Sequence, residues 1–232
     1  MSEQVLHEFD VAGRWYDRLV GANPGYHRDL RRAAESLELP GQGRGLRLLD
    51  AGCGTGASTA ALLRTAPEAE VVGVDGSASM LAEARRKDWP PTVSFVHSSL
   101  EDLRLDGPFD GVLAGYLVRN LDDPDAGLRS LLELLRPGAP IAVHDYSLRD
   151  ARARAVWTAV CWSVIIPAGT LTTRRTALWR YLWRSALAFD GPSELAARMR
   201  AAGFGPVLRS SARGWQRGVA HTFLSHRPEG AP

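Results

Sequence analysis

Three glycines and two acids in the first third of the chain have the spacing of a ligand-binding loop. The stretch LLDAGCGTGAS, residues 48–58, places Gly52, Gly54 and Gly56 between an apolar run and a helical pattern. Glycines there permit a tight turn and let backbone N–H groups approach a ligand that a Cβ would block. Asp50 precedes this loop, and Asp75 follows it at the end of a second apolar run. The arrangement predicts a site for a ligand that contains a nucleoside.

Two classes of ligand fit this loop. The glycines and Ala57 match the GxGxxA form of the dinucleotide fingerprint, in which Asp75 is the acid about 20 residues further on. That interpretation predicts an NAD-dependent dehydrogenase. Asp50 favours the other class, because a carboxylate beside the loop repels a diphosphate but suits a ligand with an ammonium group and no phosphate. S-adenosylmethionine (SAM) has this composition.

The elements that must position these side chains follow from the hydrophobic pattern. Between residues 45 and 147, short apolar runs alternate with helical periodicity, which is typical of a parallel sheet with crossover helices. Five strands are predicted, over residues 46–50, 71–75, 93–97, 111–115 and 141–146. A helix over 192–202 and two strands over 206–211 and 219–225 follow, and they predict an antiparallel edge. The fold class is therefore α/β, with a seven-stranded, mostly parallel sheet and helices on both faces.

Capping signals locate two of the crossover helices. Asp123 and Pro124 are typical of a helix start, and Pro137 with Gly138 is typical of a helix stop. Leucines recur between them at i, i+3, i+4 and i+7. Ser77 is predicted to cap a helix that runs through Lys87.

Two motifs resemble those of class I SAM-dependent methyltransferases. LLDAGCGTG is similar to their first motif, and VVGVDGSASMLAEAR is similar to their second. The resemblance implies a Rossmann-like fold in which Asp75 holds both ribose hydroxyls while Gly76 and Met80 lie against the adenine. The alternative for Asp75 is a helix-capping acid. Further cofactor contacts are implied for Asp50, Gly52, Cys53, Gly54, Gly56, Leu100 and Gly115.

The third motif departs from the family pattern. In FVHSSLEDL, Ser99 stands where the family usually has an aspartate that reaches the adenine amino group. A serine still forms hydrogen bonds, but it lacks the negative charge. We therefore expect Ser99 to contact the cofactor with reduced affinity at this point.

The later motifs resemble the ubiquinone/menaquinone biosynthesis C-methyltransferase family. The similarity lies in residues 117–120, in Asp145, Tyr146 and Ser147, in RWYDRL near the N-terminus, and in AGFGPV with GVAHTFLSHRP near the end. It implies SAM-dependent C-methylation of a hydrophobic acceptor, a prenylated quinol or an isoprenoid-like compound, with S-adenosylhomocysteine (SAH) as product. Methylation of an O or N atom of a small natural product would share every cofactor motif and remains an alternative.

Candidate catalytic residues follow the fourth and fifth strands. The resemblance implies that Arg119 orients a water or a phenolate near the methyl group; the alternative is a surface arginine paired with Asp122 or Asp123. Because strand side chains alternate, only one of His144 and Asp145 is expected to face the cleft. The family places an acid at Asp145. His144 is thus either a substrate-specific base or a strand residue turned away.

Further aromatic and amide residues are assigned to the ligands. Tyr16, on the N-terminal helix, is expected either to close over the cofactor or to belong to the core. Tyr116, Asn120 and Tyr146 are expected to contact the substrate.

Residues 149–190 form a predicted helical lid, inserted after the fifth strand. Within it, residues 155–173 carry no charge and are flanked by arginines, but Pro167 and Gly169 dilute their hydrophobicity, so we expect a lid rather than a membrane span. Four of the seven tryptophans lie in this lid, namely Trp157, Trp162, Trp179 and Trp183. They predict either ordinary core packing or an apolar pocket for an isoprenoid chain, with Trp and Arg touching a membrane.

Composition and charge agree with a globular enzyme. The 232 residues are 45% hydrophobic and 23% charged, which excludes a disordered chain. Two cysteines provide neither a disulfide framework nor a zinc site, so no metal is expected. Residues 1–148 carry 15 basic and 22 acidic side chains, whereas residues 149–232 carry 13 and 4. The asymmetry reflects either an arginine-rich composition or a basic face for an anionic partner or a membrane.

One domain is predicted for residues 1–232. It comprises N-terminal helices (1–40), the SAM-binding core (45–148), the lid (149–190), and a terminal helix with a β-hairpin (191–227). The first residues do not resemble a signal peptide, which predicts a cytoplasmic protein with peripheral membrane contact through the lid. A small hydrophobic substrate is expected as partner, and nucleic acid is not.

Overall fold

The structure, a computed structural model, describes residues 25–230 except residues 101, 104, 106 and 175. The predicted element that contains Tyr16 lies outside these residues. Residues 1–24 of the predicted N-terminal helical region (1–40) also lie outside them.

A seven-stranded mixed sheet forms the centre of the described structure. Its strands are β1 (Arg47–Ala51), β2 (Glu70–Asp75), β3 (Val93–His97), β4 (Gly111–Gly115), β5 (Pro140–Tyr146), β6 (Leu208–Ser211) and β7 (Ala220–His226). The spatial order is β3-β2-β1-β4-β5-β7-β6. Strands β1 to β5 are parallel, and β7 runs antiparallel to both β5 and β6. The predicted fold class is confirmed, with the antiparallel strand lying one position in from the edge.

Eight α-helices are described around this sheet. They are α1 (Tyr26–Glu35), α2 (Ala57–Thr65), α3 (Ala78–Arg85), α4 (Pro124–Leu134), α5 (Ala151–Val160), α6 (Ile166–Thr173), α7 (Ala177–Ala188) and α8 (Pro192–Ala201). A short 3₁₀ turn, Val118–Asn120, follows β4. Two hydrophobic clusters pack on the two faces of the sheet, which explains why β1, β4 and β5 are almost entirely buried.

The predicted caps are present at the starts of two helices. The Asp123 carboxylate accepts the Ala126 N–H at 2.9 Å at the start of α4. The Ser77 hydroxyl accepts the Met80 N–H at 3.3 Å at the start of α3. Helix α3 ends at Arg85, two residues before the predicted end at Lys87. These boundaries are local properties, because each cap satisfies N–H groups that the helix leaves unpaired.

Strand order places the functional motifs together at the carboxyl ends of the parallel strands. The chain reverses direction across the sheet between β1 and β4, and ligands of open α/β sheets bind outside the carboxyl ends of the strands at such a point. The glycine loop follows β1, Asp75 ends β2, and Arg119 follows β4. The fold therefore brings residues that are distant in sequence together at the carboxyl ends of these strands.

The predicted lid, residues 149–190, contains a long helix that includes a π-turn. Helices α5 and α6 continue through the π-turn Cys161–Ile165. Buried positions recur at Ala153, Trp157, Cys161, Ile166 and Gly169. The interval of five residues at the π-turn keeps Cys161 and Ile166 on the same side. Pro167, two residues after the end of the π-turn, lacks the N–H of a regular helical hydrogen bond and so favours this irregularity.

Candidate active site

The glycine loop forms a backbone cradle at the carboxyl end of β1. Gly52 and Gly54 have φ angles of +71° and +53°, in the left-handed region that favours glycine. A Cβ on Gly52 would lie 2.9 Å from the side chain of Leu117. A Cβ on Gly54 would meet no protein atom within 4 Å, although Gly54 lines the cleft described below. Glycine at 54 therefore keeps open a space that a side chain would fill.

Asp75 is held in place by the backbone around it. One carboxylate oxygen accepts the Gly54 N–H at 2.8 Å, and the other accepts the Ser77 N–H at 2.8 Å. Both bonds orient the carboxylate at the cleft, which Asp75 lines. The helix-capping alternative does not apply to α3, because the Ser77 hydroxyl is its N-cap. The position suits an acceptor of two ligand hydroxyl groups.

Asp50 is fully buried directly before the loop. Its Oδ2 accepts the hydroxyls of Ser58 at 2.9 Å and Thr59 at 2.6 Å. Its Oδ1 is buried with no hydrogen-bond partner. Burial raises the pKa of Asp50 to about 7, and the two hydroxyls oppose that shift. Asp50 is not among the described residues that line the cleft. A ligand ammonium group that reached its Oδ1 would supply both a donor and a compensating charge.

We predict that cofactor affinity depends on pH through Asp50. Its pKa of about 7 means that the carboxyl group is largely protonated at pH 5.5 and largely ionised at pH 7.5. An ammonium ligand favours the ionised form, so SAH should bind roughly tenfold or more weakly at pH 5.5 than at pH 7.5. Calorimetric titration across this range measures the effect. Asp50→Asn should flatten the profile, and an unchanged profile in that variant would assign the titration to another group.

A second cavity adjoins the cleft on the other side of Asp75. It encloses about 510 Å³ and includes Gly76, Ser99, Leu100 and Leu121 in its lining. Ser99 donates to the Asp102 carboxylate at 2.9 Å and accepts the Asp102 N–H at 3.1 Å. The Ser99 hydroxyl is therefore bound to an exposed carboxylate three residues later that does not line this cavity. Met80 lines the main cleft instead.

Together, these residues fit SAM. The mostly apolar cavity beside Asp75 suits an adenine, the Asp75 carboxylate suits ribose hydroxyls, and the unpartnered oxygen of Asp50 suits the ammonium group. Cys53 and Gly115, for which the motifs predict cofactor contacts, also line the cleft. The described residues include no group of three or more His, Cys, Asp or Glu side chains arranged for a metal ion.

Arg119 is the only arginine among the described residues lining the cleft, which encloses about 870 Å³ and opens partly to solvent. Its side chain is 2% exposed. Nε donates to Asp145 at 3.2 Å, and Nη1 donates to Asn120 Oδ1 at 3.1 Å and to the Ser185 hydroxyl. Among the described residues, none is hydrogen bonded to Nη2. The surface pairing with Asp122 or Asp123 is thus replaced by a buried ion pair, and one nitrogen is left for a ligand.

Asp145 lies behind this guanidinium rather than in the cleft. It is 0% exposed and also accepts the backbone N–H groups of Arg119 at 3.1 Å and Tyr146 at 2.8 Å. Burial raises the pKa of Asp145, and the charge of Arg119 opposes that shift. The contacts suit a residue that positions Arg119. They do not suit a base that touches the acceptor.

His144 is also turned away from the cleft. It is buried, with Nδ1 2.9 Å from the Thr222 hydroxyl and Nε2 3.1 Å from the Tyr116 hydroxyl. Burial lowers the pKa of His144 to about 4, so the ring is neutral at pH 7. Alternation along β5 predicts that one of these two residues faces the cleft, whereas neither lines it. Thr222 and Tyr116 bond to the His144 ring, whereas Arg119, in the turn after β4, bonds to Asp145.

Aromatic and aliphatic side chains from three elements form apolar walls of the cleft. Tyr26 of α1 stacks on Tyr116, with ring centroids 5.2 Å apart and planes 7° apart. Leu178, Trp179 and Leu182 of α7 close the opposite side. Such walls favour an apolar ligand, because burial of apolar surface is stabilising while unpaired polar groups are penalised.

The four lid tryptophans have different surroundings. Trp179 lines the cleft. Trp157 is 0% exposed and packs on Tyr146, with centroids 4.4 Å apart, so it belongs to the core beneath the lid. Trp183 donates to the Thr158 hydroxyl at 3.1 Å and packs against Trp162, which is 46% exposed. Of the four tryptophans, Trp179 lines the cleft and the other three do not. Tyr146, which was also expected to contact the substrate, lies outside the lining too.

Several lining residues escaped the sequence analysis. Tyr26, Leu30, Leu178, Tyr181 and Leu182 lie on helices for which no motif was identified. A polar residue on an otherwise apolar lid face was the available signal for Tyr181. Tyr26 and Leu30 carried only an amphipathic pattern, which does not distinguish a cleft wall from a core.

Comparison with known proteins yields family and fold matches. A model of the ubiE/COQ5 methyltransferase family matches residues 2–223. The chain is 34% identical over 180 residues to the demethylmenaquinone methyltransferase of Thermus thermophilus, covering 76% of this chain and 82% of the relative. It is 33% identical over 214 residues to the ubiquinone/menaquinone biosynthesis C-methyltransferase UbiE of Pseudomonas aeruginosa, covering 89% and 83%.

A solved structure with a similar fold is that of the cyclase SpnF. It has a TM-score of 0.73 and 19% identity, covering 99% of this chain and 97% of the other. At this identity the likeness concerns the fold alone, and a cyclase on such a fold illustrates that the fold hosts more than one reaction.

Proposed function

Because the chain belongs to the ubiE/COQ5 methyltransferase family and is a SAM-dependent methyltransferase, we propose that it methylates a ring carbon of a hydrophobic, prenylated quinol. The names of the two relatives support a quinone-type acceptor. Family membership sets aside the NAD-dependent dehydrogenase that the glycine loop alone left open.

One observation carries the proposal: Arg119 is the only arginine among the described residues lining a cleft whose walls also include Tyr26, Tyr116, Leu178 and Trp179. Its Nη2 has no hydrogen-bond partner among the described residues. The walls suit the ring and prenyl chain of a quinol. The cation suits an oxygen that carries negative charge.

The chemistry follows from what each residue can stabilise. When bound, SAM supplies a methyl group on a positively charged sulfur. A quinol ring carbon becomes nucleophilic when the neighbouring hydroxyl loses its proton, and Arg119 stabilises the resulting anion. Arginine remains protonated, and Asp145 is buried behind it, so the proton passes to water. The ring carbon that gains the methyl group then loses its hydrogen as a second proton.

Labelled methyl transfer tests the proposed acceptor. The enzyme is incubated anaerobically with isotopically labelled SAM and a naphthoquinol that carries a short prenyl chain, and the product is analysed by mass spectrometry. We expect label in the quinol and none when the oxidised quinone is supplied, because only the quinol forms a phenolate. A C-methylated product reoxidises to a quinone in air, whereas an O-methyl ether does not; an ether product would support the O-methyltransferase alternative.

We also propose that the lid contacts a membrane that holds the acceptor. Helix Ala151–Thr173 is long and apolar enough to span a membrane. Only 22% of its most apolar window is buried, so the rest of the protein leaves most of this window uncovered. Its buried side packs on the protein, while Trp162, Val164 and Leu171 are exposed by 46%, 57% and 82%. Exposed arginines flank this apolar side, including Arg174, Arg180 and Arg184. An apolar side with basic flanks is typical of a helix that lies in the membrane surface.

We predict that neutralising the flanking arginines weakens binding to anionic membranes. Each exposed Arg near such a surface contributes about 1 kcal/mol, so changing Arg174, Arg180 and Arg184 to glutamine should lower partitioning roughly 100-fold. Co-sedimentation with strongly anionic vesicles, which contain about 30% phosphatidylserine, measures the loss. The matched control changes Arg31, Arg64 and Arg129, which are exposed outside the lid. Equal losses in both triple variants would contradict a lid-specific contact.

A further inference from the structure

Two polar side chains of lid helix α7 reach the turn that carries Arg119. Tyr181 and Ser185 are four residues apart and therefore lie on the same side of the helix. Leu178 and Leu182 lie on the neighbouring surface and line the cleft as apolar residues. The polar pair is directed at residues 119 and 120, which belong to the 3₁₀ turn after β4.

The contacts link the lid to the guanidinium by two routes. Directly, Arg119 Nη1 donates to the Ser185 hydroxyl. Indirectly, Tyr181 donates to Asn120 Oδ1 at 3.1 Å, the same oxygen that accepts from Arg119 Nη1 at 3.1 Å. Asn120 Nδ2 in turn donates to the Tyr116 carbonyl at 2.8 Å, which fixes the orientation of the amide. Ser185 donates its own proton to the Leu182 carbonyl at 3.3 Å, so its lone pairs remain for Arg119.

The core and the lid hold different parts of the same side chain. Asp145 of β5 holds Nε, and the lid residues with Asn120 hold Nη1. Neither of these two sets of described residues binds Nη2. A guanidinium is planar, so fixing two of its nitrogens fixes the direction of the third.

We infer that Tyr181 and Ser185 are positioning residues for Arg119, so that lid helix α7 orients the catalytic guanidinium as well as covering the cleft. The inference rests on the role proposed above for Arg119. It assigns to the lid a catalytic contribution that is separate from acceptor binding. Removing either hydroxyl should lower kcat more than it raises KM, because the transition state gains most from a correctly directed donor.

A double-mutant cycle tests this coupling. In the wild-type background, Ser185→Ala and Tyr181→Phe should each lower kcat about tenfold, with SAH affinity changed less than about twofold. In an Arg119→Ala/Asp145→Asn background, the same changes should alter kcat less than about twofold. Ser185→Thr retains a hydroxyl and should recover most of the activity. Ser130→Ala is the matched control, since among the described residues Ser130 bonds to a carbonyl of its own helix, α4, and to no other group.

A readout without acceptor separates this inference from the proposed function. Hydrogen exchange of residues 177–188 is measured by mass spectrometry with SAH present. Ser185→Ala and removal of Arg119 should each speed this exchange, and the combined variant should exceed neither by more than about twofold. Equal losses of kcat in both backgrounds, or additive effects on exchange, would overturn the inference. Absence of turnover by the wild-type enzyme with a quinol would instead count against the proposed acceptor, and exchange alone would then decide the coupling.

Discussion

Asp75→Ala is expected to weaken binding of SAM and SAH by at least about 100-fold. The carboxylate lines the cleft and is oriented by the N–H groups of Gly54 and Ser77, both at 2.8 Å. Two ribose hydroxyls would donate to it, and a hydrogen bond to a charged group contributes about 1.5–3 kcal/mol. The loss of both bonds corresponds to a factor of about 100 or more in Kd.

Calorimetric titration with SAH measures this loss directly. Asp88→Ala is the matched control, since Asp88 is an exposed aspartate outside the cleft lining, and its affinity should remain within about twofold of wild type. Thermal unfolding of both variants shows whether the loop around Gly54 has been lost with the carboxylate. Unchanged SAH affinity in a folded Asp75→Ala variant would remove Asp75 from the ribose role.

Removing the guanidinium of Arg119 is expected to lower kcat by about 100- to 1,000-fold, the range seen when a preorganised donor to a developing anion is lost. SAH affinity should change less than about threefold, because the cofactor contacts proposed above come from Asp50, Asp75 and the glycine loop. The acceptor contact is therefore expected to dominate the effect. Turnover with labelled SAM and the quinol measures kcat.

The variant must avoid an unpaired buried charge. Arg119→Ala alone leaves the fully buried Asp145 carboxylate without its cation, which typically costs about 3–5 kcal/mol of stability. The Arg119→Ala/Asp145→Asn variant removes both charges, and Asp145→Asn alone separates the positioning effect, expected at about tenfold in kcat. If the folded double variant turned over at the wild-type rate, Arg119 would have a structural role only.

Local sequence signals predicted the features that depend on neighbouring residues. Asp123 and Ser77 cap their helices as expected, because a cap satisfies N–H groups within its own turn. The left-handed glycines and the acids before and after them also follow from spacing along the chain. Family motifs added roles for Asp75 and Arg119, and those roles remain predictions that the experiments above test.

Long-range packing decided what the local signals left open. Alternation along β5 predicted that His144 or Asp145 faces the cleft, whereas neither lines it. Thr222 and Tyr116 bond to His144, and Arg119 bonds to Asp145. Composition placed four tryptophans in the lid without distinguishing the buried Trp157 from the exposed Trp162. The π-turn that keeps the buried side of the lid helix continuous was likewise not predicted, since periodicity of 3.6 residues assumes a regular helix.

The sequence by itself determined the α/β fold, the glycine loop, the carboxylates around it and the uneven charge, because periodicity, capping and turn chemistry act over a few residues. Only the tertiary structure decided which nitrogens of Arg119 are bonded by the described residues. Its partners come from β5, from the turn after β4 and from lid helix α7, which is 66 residues further along the chain at Ser185. No pattern within one segment specifies such a constellation, because it exists only when the sheet and the lid pack together.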